Sequence, residues 1–361
     1  MSDLPSRSFC FTIVNQLLAW YDRERRDLPW RTKPGRIPDP YHIWLSEVML
    51  QQTTVSVVRP YFYAFITRWP TVTDLAKASL ENVLAAWAGL GYYARARNLH
   101  QCAQKIVSMG DGTFPADEKA LQRLPGIGTY TAAAITTIAF GRRAVAIDGN
   151  IERVIARLFA VTDLLPAARP RIRALADVLM PEERCGDFIQ AVMDLGAMIC
   201  TSRQPICLLC PLHHKCAGFQ QGLAATVPAR TRRALRPVRH GVAFFILRKD
   251  GAVLLRQRSQ EGLLGGMMEI PSTPWRDDSW TLEEAITATA PLSLTWRLLP
   301  GTVHHVFTHF RLNMTIVMGK AGFNPTVHGV WSALDRMDDL ALPSVMRKIL
   351  VHAVRFGMRS L

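Results

Sequence analysis

The spacing of apolar residues separates the chain into two parts of different character. As far as about residue 200, apolar side chains return every three or four positions, which is the spacing of helices with one buried face. The segments with this spacing are residues 11–21, 43–65, 80–87, 94–107, 130–140, 151–161 and 172–180. We therefore expect the N-terminal part to be almost entirely α-helical.

The pattern changes after residue 226. Residues 227–240 (VPARTRRALRPVRH) are rich in proline and arginine and show no periodicity, which predicts an extended basic linker. Beyond it, two apolar runs enclose a Lys-Asp-Gly turn at residues 249–251, a pattern typical of a β-hairpin. Further strands are predicted at residues 303–310 and 312–318, and a closing helix at residues 344–356. The C-terminal part is thus predicted to be a smaller α+β domain.

The length of the chain supports this division. Its 361 residues exceed the roughly 250 to 300 at which a single core stops growing. We expect a multidomain protein with a first domain at residues 1–225, a linker at residues 226–240 and a second domain at residues 241–361. No repeat with the period of a solenoid is visible.

The charge balance narrows the class of partner. The chain has 43 Lys and Arg against 29 Asp and Glu, a formal net charge of +14 that is carried mostly by arginine. Arginine suits phosphate, so nucleic acid is one reading and a basic enzyme without a special partner is the other. No apolar run approaches the roughly 18 residues of a membrane span, and the N-terminus has no signal-peptide layout. We expect a cytoplasmic protein that does not contact a membrane.

Four of the seven cysteines lie within 17 residues and predict a metal site. They are Cys200, Cys207, Cys210 and Cys216. In a reducing compartment such a cluster indicates metal ligands rather than disulfides. Structural zinc usually takes two C-x-x-C pairs, whereas the uneven spacing here suits a cubane iron–sulfur cluster at least as well. The spacing by itself leaves both metals open.

The stretch LPGIG at residues 124–128 predicts a tight turn between two helices. Gly126 and Gly128 permit backbone conformations that a Cβ disfavours, so the amides around Ile127 can point outward at the start of the next helix. Such a hairpin presents N–H groups to a nucleic-acid backbone without reading bases. The alternative is an ordinary connection between helices.

Two carboxylates are candidates for acid–base chemistry. Glu47 lies within the apolar run WLSEVML, where burial would raise its pKa, as a general acid requires near neutral pH. Asp148 precedes Gly149, Asn150 and a periodic helix, so it is also a good N-cap. One protonated and one ionised carboxyl form the pairing that breaks glycosidic bonds. Alternatively, Glu47 faces solvent and Asp148 serves only as a cap.

The motifs, in this order and spacing, resemble the helix-hairpin-helix DNA glycosylases of the endonuclease III superfamily, and more narrowly the MutY family of adenine DNA glycosylases. The stretches that carry the resemblance are LPWR, WLSEVMLQQT, GLGYYARARNLH, LPGIG, DGN and MDLGAMIC. They cover residues 27–216 densely and the C-terminal part more loosely. The resemblance implies a glycosylase domain with an iron–sulfur loop at residues 200–216, followed by a Nudix-like domain.

The resemblance assigns catalytic roles. It implies that Glu47 protonates the adenine ring and later assists water, that Asp148 faces the deoxyribose cation and that Asn150 supports Asp148. Tyr130 stands where strand-cutting members carry lysine, whose amine attacks the sugar. A tyrosine cannot form a Schiff base, so we expect a monofunctional enzyme that leaves an abasic site. The four cysteines would hold one 4Fe-4S cluster that is structural rather than hydrolytic.

The resemblance also assigns DNA contacts. Residues inserted into or laid against the opened duplex, as base flipping requires, would be Gln52, Thr53 and Tyr92. The hairpin would contact DNA through Leu124, Gly126, Ile127 and Gly128. The adenine pocket would include Arg26, Trp30, Arg31 and Leu50. For the two arginines and the tryptophan, a salt bridge and a core position are the alternatives.

The C-terminal part resembles a Nudix domain that has lost its metal-binding acids. GLLGGMMEIP at residues 262–271 matches the segment before a Nudix box, but no R-E-x-x-E-E set follows, and Glu283-Glu284 is a poor remnant. We therefore expect binding rather than pyrophosphate hydrolysis. In VFTHF, the residues Phe307, Thr308 and His309 fall where the family carries an F-S-H loop that inspects 8-oxoguanine.

These expectations combine into one function. The chain is predicted to hydrolyse the N-glycosidic bond of adenine mispaired with 8-oxoguanine or guanine in duplex DNA, as a monomer associated with the nucleoid. Two rivals are a Nudix hydrolase with a DNA-binding appendage, which the missing acids oppose, and a lesion-binding protein without chemistry, which the presence of both carboxylates opposes.

Overall fold

Two compact units make up the protein. The computed structural model describes residues 4–33, 35–229, 231, 235–323 and 325–357. The first unit comprises Met1–Lys77 with Asn98–Arg233, and the second comprises Ala78–Arg97 with Ala234–Leu361. A short stretch of the helical half thus groups with the C-terminal part. The domain boundaries at residues 225–226 and 240–241 stay a prediction.

The N-terminal half is helical, as the sequence predicted. Its helices are α1 (Arg7–Glu24), α2 (Pro40–Leu50), α3 (Val55–Arg68), α4 (Val72–Lys77), α5 (Leu80–Trp87), α6 (Ala94–Met109), α7 (Glu118–Gln122), α8 (Thr129–Ile138), α9 (Gly149–Leu158), α10 (Arg169–Leu179), α11 (Cys185–Met198) and α12 (Ala217–Gln220). Side-chain caps fix several starts: Ser6, Asp39 and Asp117 each accept a hydrogen bond from a first-turn amide. Within the described residues, none of the helices is long and apolar enough to cross a membrane.

One helical prediction is wrong. The apolar pattern over residues 43–65 predicted a single helical stretch, but α2 ends at Leu50 and α3 begins at Val55. Between them, Gln52 adopts a left-handed backbone with φ 58°. The apolar periodicity continues on both sides of this break, so the pattern does not reveal it.

Helix α11 is the centre of the first unit, since it packs against α1, α8 and α9. Its Gly196 permits the close approach to α9, because a Cβ there would lie 2.7 Å from the Cβ of Asn150. The apolar pattern did not predict this helix, although the stretch MDLGAMIC, which carried part of the resemblance, overlaps its C-terminal end. Its position brings residues that are far apart in the chain to one place.

The second unit contains a mixed β-sheet. Its elements are β1 (Val238–Arg248), β2 (Val253–Gln257), β3 (Met268–Glu269), α13 (Leu282–Thr289), β4 (Arg297–Leu298), β5 (Val303–Val306), β6 (Arg311–Ala321), β7 (Val330–Ser332) and α14 (Ser344–Gly357). The strand order is β3-β2-β1-β6-β4, with β5 pairing with β6 and β7 with β2. The long strands β1 and β6 are parallel, with Val238 opposite Arg311 and Arg248 opposite Ala321.

The structure confirms the predicted hairpin and closing helix but shifts two boundaries. β1 and β2 are antiparallel, with Leu247 opposite Val253. β1 already begins at Val238, inside the segment interpreted as a linker, because β6 pairs with its first residues. The strand predicted over residues 303–310 stops at Val306, where a turn begins. Of the linker arginines, Arg230, Arg232 and Arg233 lie outside the described residues.

Of the two glycines in the LPGIG turn, the backbone requires only Gly126. Gly126 has φ +73°, and a Cβ there would lie 2.7 Å from the Cβ of Asn98; Gly128 has φ −86° and no atom within 4 Å of such a Cβ. We expect Gly126→Ala to lower the free energy of unfolding by about 1–3 kcal/mol, through strain and steric overlap. Gly128→Ala, the matched control, should cost less than about 1 kcal/mol. Denaturant unfolding followed by circular dichroism measures both, and equal losses would contradict this account.

Candidate active site

Glu47 is buried in the first unit on helix α2. It is 8% exposed. The pKa of its carboxyl is raised to about 7: burial raises it most, a hydrogen bond from Tyr130 lowers it, the charge of Asp148 raises it and the charge of Arg31 lowers it. Near neutral pH, this carboxyl is therefore protonated in a substantial fraction of molecules, which suits a general acid.

Tyr130 lies one residue inside helix α8 and faces this carboxyl. Its hydroxyl donates to Oε2 of Glu47 over 2.8 Å. Burial and the neighbouring carboxylates raise the pKa of the Tyr130 phenol well above its usual value, so it remains a neutral donor. The hydrogen bond joins residues 83 positions apart and fixes the direction in which the carboxyl points.

Asp148 caps helix α9, as the sequence predicted. Its Oδ1 accepts from the backbone amides of Asn150 at 2.9 Å and Ile151 at 2.7 Å, and its Oδ2 accepts from the Asn150 side chain at 2.9 Å. Burial raises the pKa of the Asp148 carboxyl, while these three hydrogen bonds and the charge of Arg153 lower it. Hydrogen bonds to both oxygens favour the ionised form. The cap is therefore compatible with a catalytic role.

The orientation of Asn150 is set by Arg153, which the sequence analysis did not single out. Nη2 of Arg153 donates to Oδ1 of Asn150 at 2.8 Å and to the Gly196 carbonyl at 2.6 Å. Its Nε donates to the carbonyl of Cys200 at 2.7 Å. Because Oδ1 of Asn150 faces a donor, its amide nitrogen faces Asp148. A series of hydrogen bonds thus runs from Asp148 through Asn150 and Arg153 to the carbonyl of Cys200, the first residue of the cysteine loop.

The residues assigned to the adenine pocket by resemblance have structural partners. Arg26 and Arg31 both donate to the carboxylate of Asp194 on α11, which is fully buried. Trp30 is buried and packs edge-on against Phe62, with ring centroids 5.4 Å apart. These contacts match the salt-bridge and core alternatives, and a role in a pocket stays a prediction for these residues. Leu50 ends α2, one turn after Glu47.

Two residues predicted to enter the duplex have unusual backbones. Gln52 has φ 58° and Tyr92 has φ 49°, in the left-handed region that side chains other than glycine rarely adopt. Such strain is often found at functional sites. Thr53 follows Gln52, and its hydroxyl donates to the Gln51 carbonyl at 3.3 Å.

Thr308 lies in the turn between β5 and β6 in the second unit. The amide of Phe307 donates to the Phe310 carbonyl at 2.9 Å and closes this turn. The hydroxyls of Thr308 and Tyr92 are 2.7 Å apart, within hydrogen-bond distance. His309 is exposed beside them. The structure thus brings Tyr92 and Thr308 together, although 216 positions separate them.

Aromatic rings pack against one another at the base of the Thr308 turn. The rings of Phe307 and Phe310 are stacked with centroids 4.7 Å apart, and Trp275 lies 5.6 Å from Phe307. The guanidinium of Arg239 lies over the Phe310 ring at 4.6 Å, and that of Arg258 lies 5.4 Å from Trp275. The turn therefore packs against aromatic rings, while Thr308 and His309 at its tip are exposed.

The four clustered cysteines line one cavity, together with Arg157 and His213. All four are free thiols. Burial raises the pKa of the Cys210 thiol to about 12. Within the described part of the chain, no group of three or more His, Cys, Asp or Glu side chains is arranged to hold a metal ion. The donor set, four sulfurs around one cavity, nevertheless fits a thiolate-bound centre.

Sequence reasoning missed Asp194, Arg153 and Gly196. Asp194 carried a usable signal, because an acidic residue inside the apolar run MDLGAMIC is the same signal that pointed to Glu47. The other two carried none, since an arginine and a glycine on a helix are ordinary until the contacting helix is known.

The burial of Glu47 predicts a change in the pH dependence of stability. The pKa of the Glu47 carboxyl rises from 4.5 to about 7 on folding, because the folded protein favours the protonated form. The contribution of this carboxyl to the free energy of unfolding is therefore highest below about pH 4.5, where it is protonated in both states, and it falls as the pH rises to about 7. Because Glu47→Gln carries no charge, we expect it to be more stable than the wild type by about 2–3 kcal/mol at about pH 8 and by little at low pH. Denaturant unfolding across pH measures this difference. The control is Glu182→Gln, at a side chain that is 86% exposed, and its stability should depend on pH as that of the wild type does. Identical pH profiles for Glu47→Gln and the wild type would refute the prediction.

Comparison with known proteins agrees with this geometry. A model described as the HhH-GPD superfamily base excision DNA repair protein matches residues 45–179, and a NUDIX domain model matches residues 242–352. A human protein named adenine DNA glycosylase is 34% identical over 394 residues, and this alignment covers 92% of this chain and 72% of the relative. The rat protein of the same name is also 34% identical, over 92% of this chain and 76% of the relative. The Arabidopsis thaliana protein of that name is 32% identical over 99% of this chain and 67% of the relative.

Solved structures match the helical half. A thermostable thymine-DNA glycosylase is 30% identical, with a TM-score of 0.54, over 59% of this chain and 98% of its own. Endonuclease III in a DNA complex is 22% identical, with a TM-score of 0.51, over 61% of this chain and 99% of its own, and supports the fold alone. Since enzymes of one name match most of its length in animals and a plant, and a base excision repair model matches its helical half, the chain belongs to the adenine DNA glycosylase family, enzymes that hydrolyse N-glycosidic bonds in DNA.

Proposed function

We propose that this protein is a monofunctional glycosylase that releases adenine mispaired with 8-oxoguanine or guanine in duplex DNA and leaves an abasic site. The observation that carries the proposal is the pair of carboxyl groups with different surroundings. Glu47 is buried with one hydroxyl donor, and Asp148 accepts three hydrogen bonds. The Glu47 carboxyl therefore retains its proton to a higher pH than the Asp148 carboxyl does.

In the proposed reaction, Glu47 donates its proton to a ring nitrogen of adenine. The bond from C1′ to adenine then breaks, and its electron pair leaves with the protonated base. Asp148 stabilises the positive charge that develops on the deoxyribose. Water adds to C1′ and gives one proton to the Glu47 carboxylate, which restores the acid.

Tyr130 argues for hydrolysis without strand cleavage. A strand-cutting glycosylase needs an amine that attacks C1′ and forms a Schiff base. The phenol of Tyr130 is engaged with Glu47, and its raised pKa keeps it neutral. Its role here is to orient the acid.

The second unit is proposed to inspect the base opposite adenine. The exposed Thr308 hydroxyl can both donate and accept a hydrogen bond, and the adjacent Tyr92 presents a ring on a strained backbone. Glu284, one of the two remaining Nudix-like acids, is bound to Arg276 at 2.7 Å. This ion pair supports a binding role rather than metal-dependent hydrolysis.

Cys200, Cys207, Cys210 and Cys216 are proposed to hold one 4Fe-4S cluster. When bound, such a cluster cross-links the loop between residues 200 and 216 and supplies structure rather than hydrolysis. The net charge of +14 supports duplex DNA as the partner. A monomer in the cytoplasm, associated with the nucleoid, remains part of the proposal.

A duplex with one adenine opposite 8-oxoguanine tests the chemistry. We expect the iron-replete protein to release free adenine, with strand breaks only after alkali. Glu47→Gln should bind this duplex but turn over at least about 10²-fold more slowly, because an amide cannot donate the proton. The wild-type rate should fall as the pH rises through about 7. Absence of adenine release would refute the glycosylase, and breaks without alkali would refute monofunctionality.

The role of Thr308 is tested by removing its hydroxyl without changing its shape. We expect Thr308→Val to reduce the preference for 8-oxoguanine over guanine by about tenfold, the value of one hydrogen bond of about 1.4 kcal/mol. Thr308→Ser retains the hydroxyl and is the matched control. Single-turnover rates on the two mispairs measure the preference, and an unchanged ratio for Thr308→Val would remove this residue from lesion recognition.

A further inference from the structure

Arg157 on helix α9 places a buried positive charge at the cysteine cavity. It is 2% exposed and lines the same cavity as the four cysteines. Its Nη1 donates to Sγ of Cys200 at 3.3 Å and to the Thr201 carbonyl at 2.7 Å. Its Nε donates to the Val227 carbonyl at 2.8 Å, and Nη2 donates to the Ser202 carbonyl at 3.4 Å. The guanidinium is thus fixed by several bonds from different segments.

The acceptors around Arg157 are unusual for a buried arginine. In the part of the chain that the structure describes, they are neutral carbonyl oxygens and one sulfur. The half-buried Arg26 and the buried Arg31, by contrast, share the carboxylate of Asp194. A buried charge without an opposite charge costs several kcal/mol of folding free energy. The cavity therefore requires an anionic group next to Arg157.

We propose that Arg157 is the counter-ion of the metal centre held by the four cysteines and donates an N–H···S hydrogen bond to the Cys200 ligand. This inference rests on the cluster of the proposed function. Four thiolates around an iron–sulfur core carry net negative charge, which satisfies the guanidinium. A hydrogen bond to a ligand sulfur stabilises the more negative, reduced state and therefore raises the reduction potential.

Arg157 also holds the protein around the centre. Its carbonyl bonds to Thr201 and Ser202 fix the chain directly after Cys200, and its own backbone carbonyl accepts from Sγ of Cys216 at 3.4 Å. Gly218 packs against this carbonyl so closely that a Cβ there would lie 2.5 Å from the oxygen. Arg157 is therefore a positioning residue for the first and last cysteines. A lysine would keep the charge but could not make the same set of bonds.

The test compares Arg157→Gln and Arg157→Lys with the wild type, using purified full-length holoprotein. We expect Arg157→Gln to lose iron to a chelator at least about tenfold faster and to have a more negative reduction potential. Arg157→Lys, the milder variant in case the first folds poorly, should retain more of the potential but also lose iron faster. Arg171→Gln, at a half-exposed arginine of α10 paired with Asp163, is the control and should match the wild type.

The readouts separate this inference from the proposed function. Iron and acid-labile sulfide are measured per chain, the potential by spectroelectrochemistry, and iron release by chelator absorbance. A wild-type protein without iron and sulfide would refute the cluster itself. A wild-type protein with a cluster, and variants of unchanged potential and iron release, would overturn only the role of Arg157. A purely structural role would change iron release and leave the potential of the remaining clusters unchanged, which also overturns the proposal.

Discussion

The burial of the Glu47 carboxyl is the constraint on which the helical unit depends. Keeping this group away from water costs free energy, because its charged form is disfavoured there and its pKa rises to about 7. Helix α8 offsets part of that cost through the Tyr130 hydroxyl, and helix α9 places a second carboxyl, that of Asp148, close enough to act on the first. We expect the same arrangement to lower stability at high pH and to leave a protonated carboxyl available near neutral pH.

Helix α11 makes this arrangement possible. Asp194 on this helix binds the two arginines that follow α1, Gly196 lets α9 approach, and the helix is followed directly by Cys200. Two arginines of α9, one turn apart, reach the residues at and after Cys200. The cysteine loop and Asp148 are therefore anchored to the same two helices, α9 and α11.

In the second unit, one exposed polar residue, Thr308, lies in a turn that packs against aromatic side chains. The parallel pairing of β1 with β6, the stacked rings of Phe307 and Phe310 and the tilted ring of Trp275 hold the turn that presents Thr308. The Nudix model matches residues 242–352 of this unit, but Glu284 is engaged in an ion pair with Arg276. The recognition role proposed for this unit therefore depends on the Thr308 turn and not on the Nudix fold, since one fold can carry different functions.

The sequence by itself determined what depends on neighbours along the chain. Helical periodicity, the Asp148 cap and the turn at Gly126 are local, and each was correct in kind, although the break at Gln52 left no trace in the pattern. The grouping of four cysteines is local too, and the metal that it predicts stays a prediction. Tertiary structure alone decided how deeply Glu47 is buried, which atom Tyr130 faces and what Arg157 contacts. The reason is that desolvation and hydrogen bonding between helices come from segments tens of residues away, which no local pattern records.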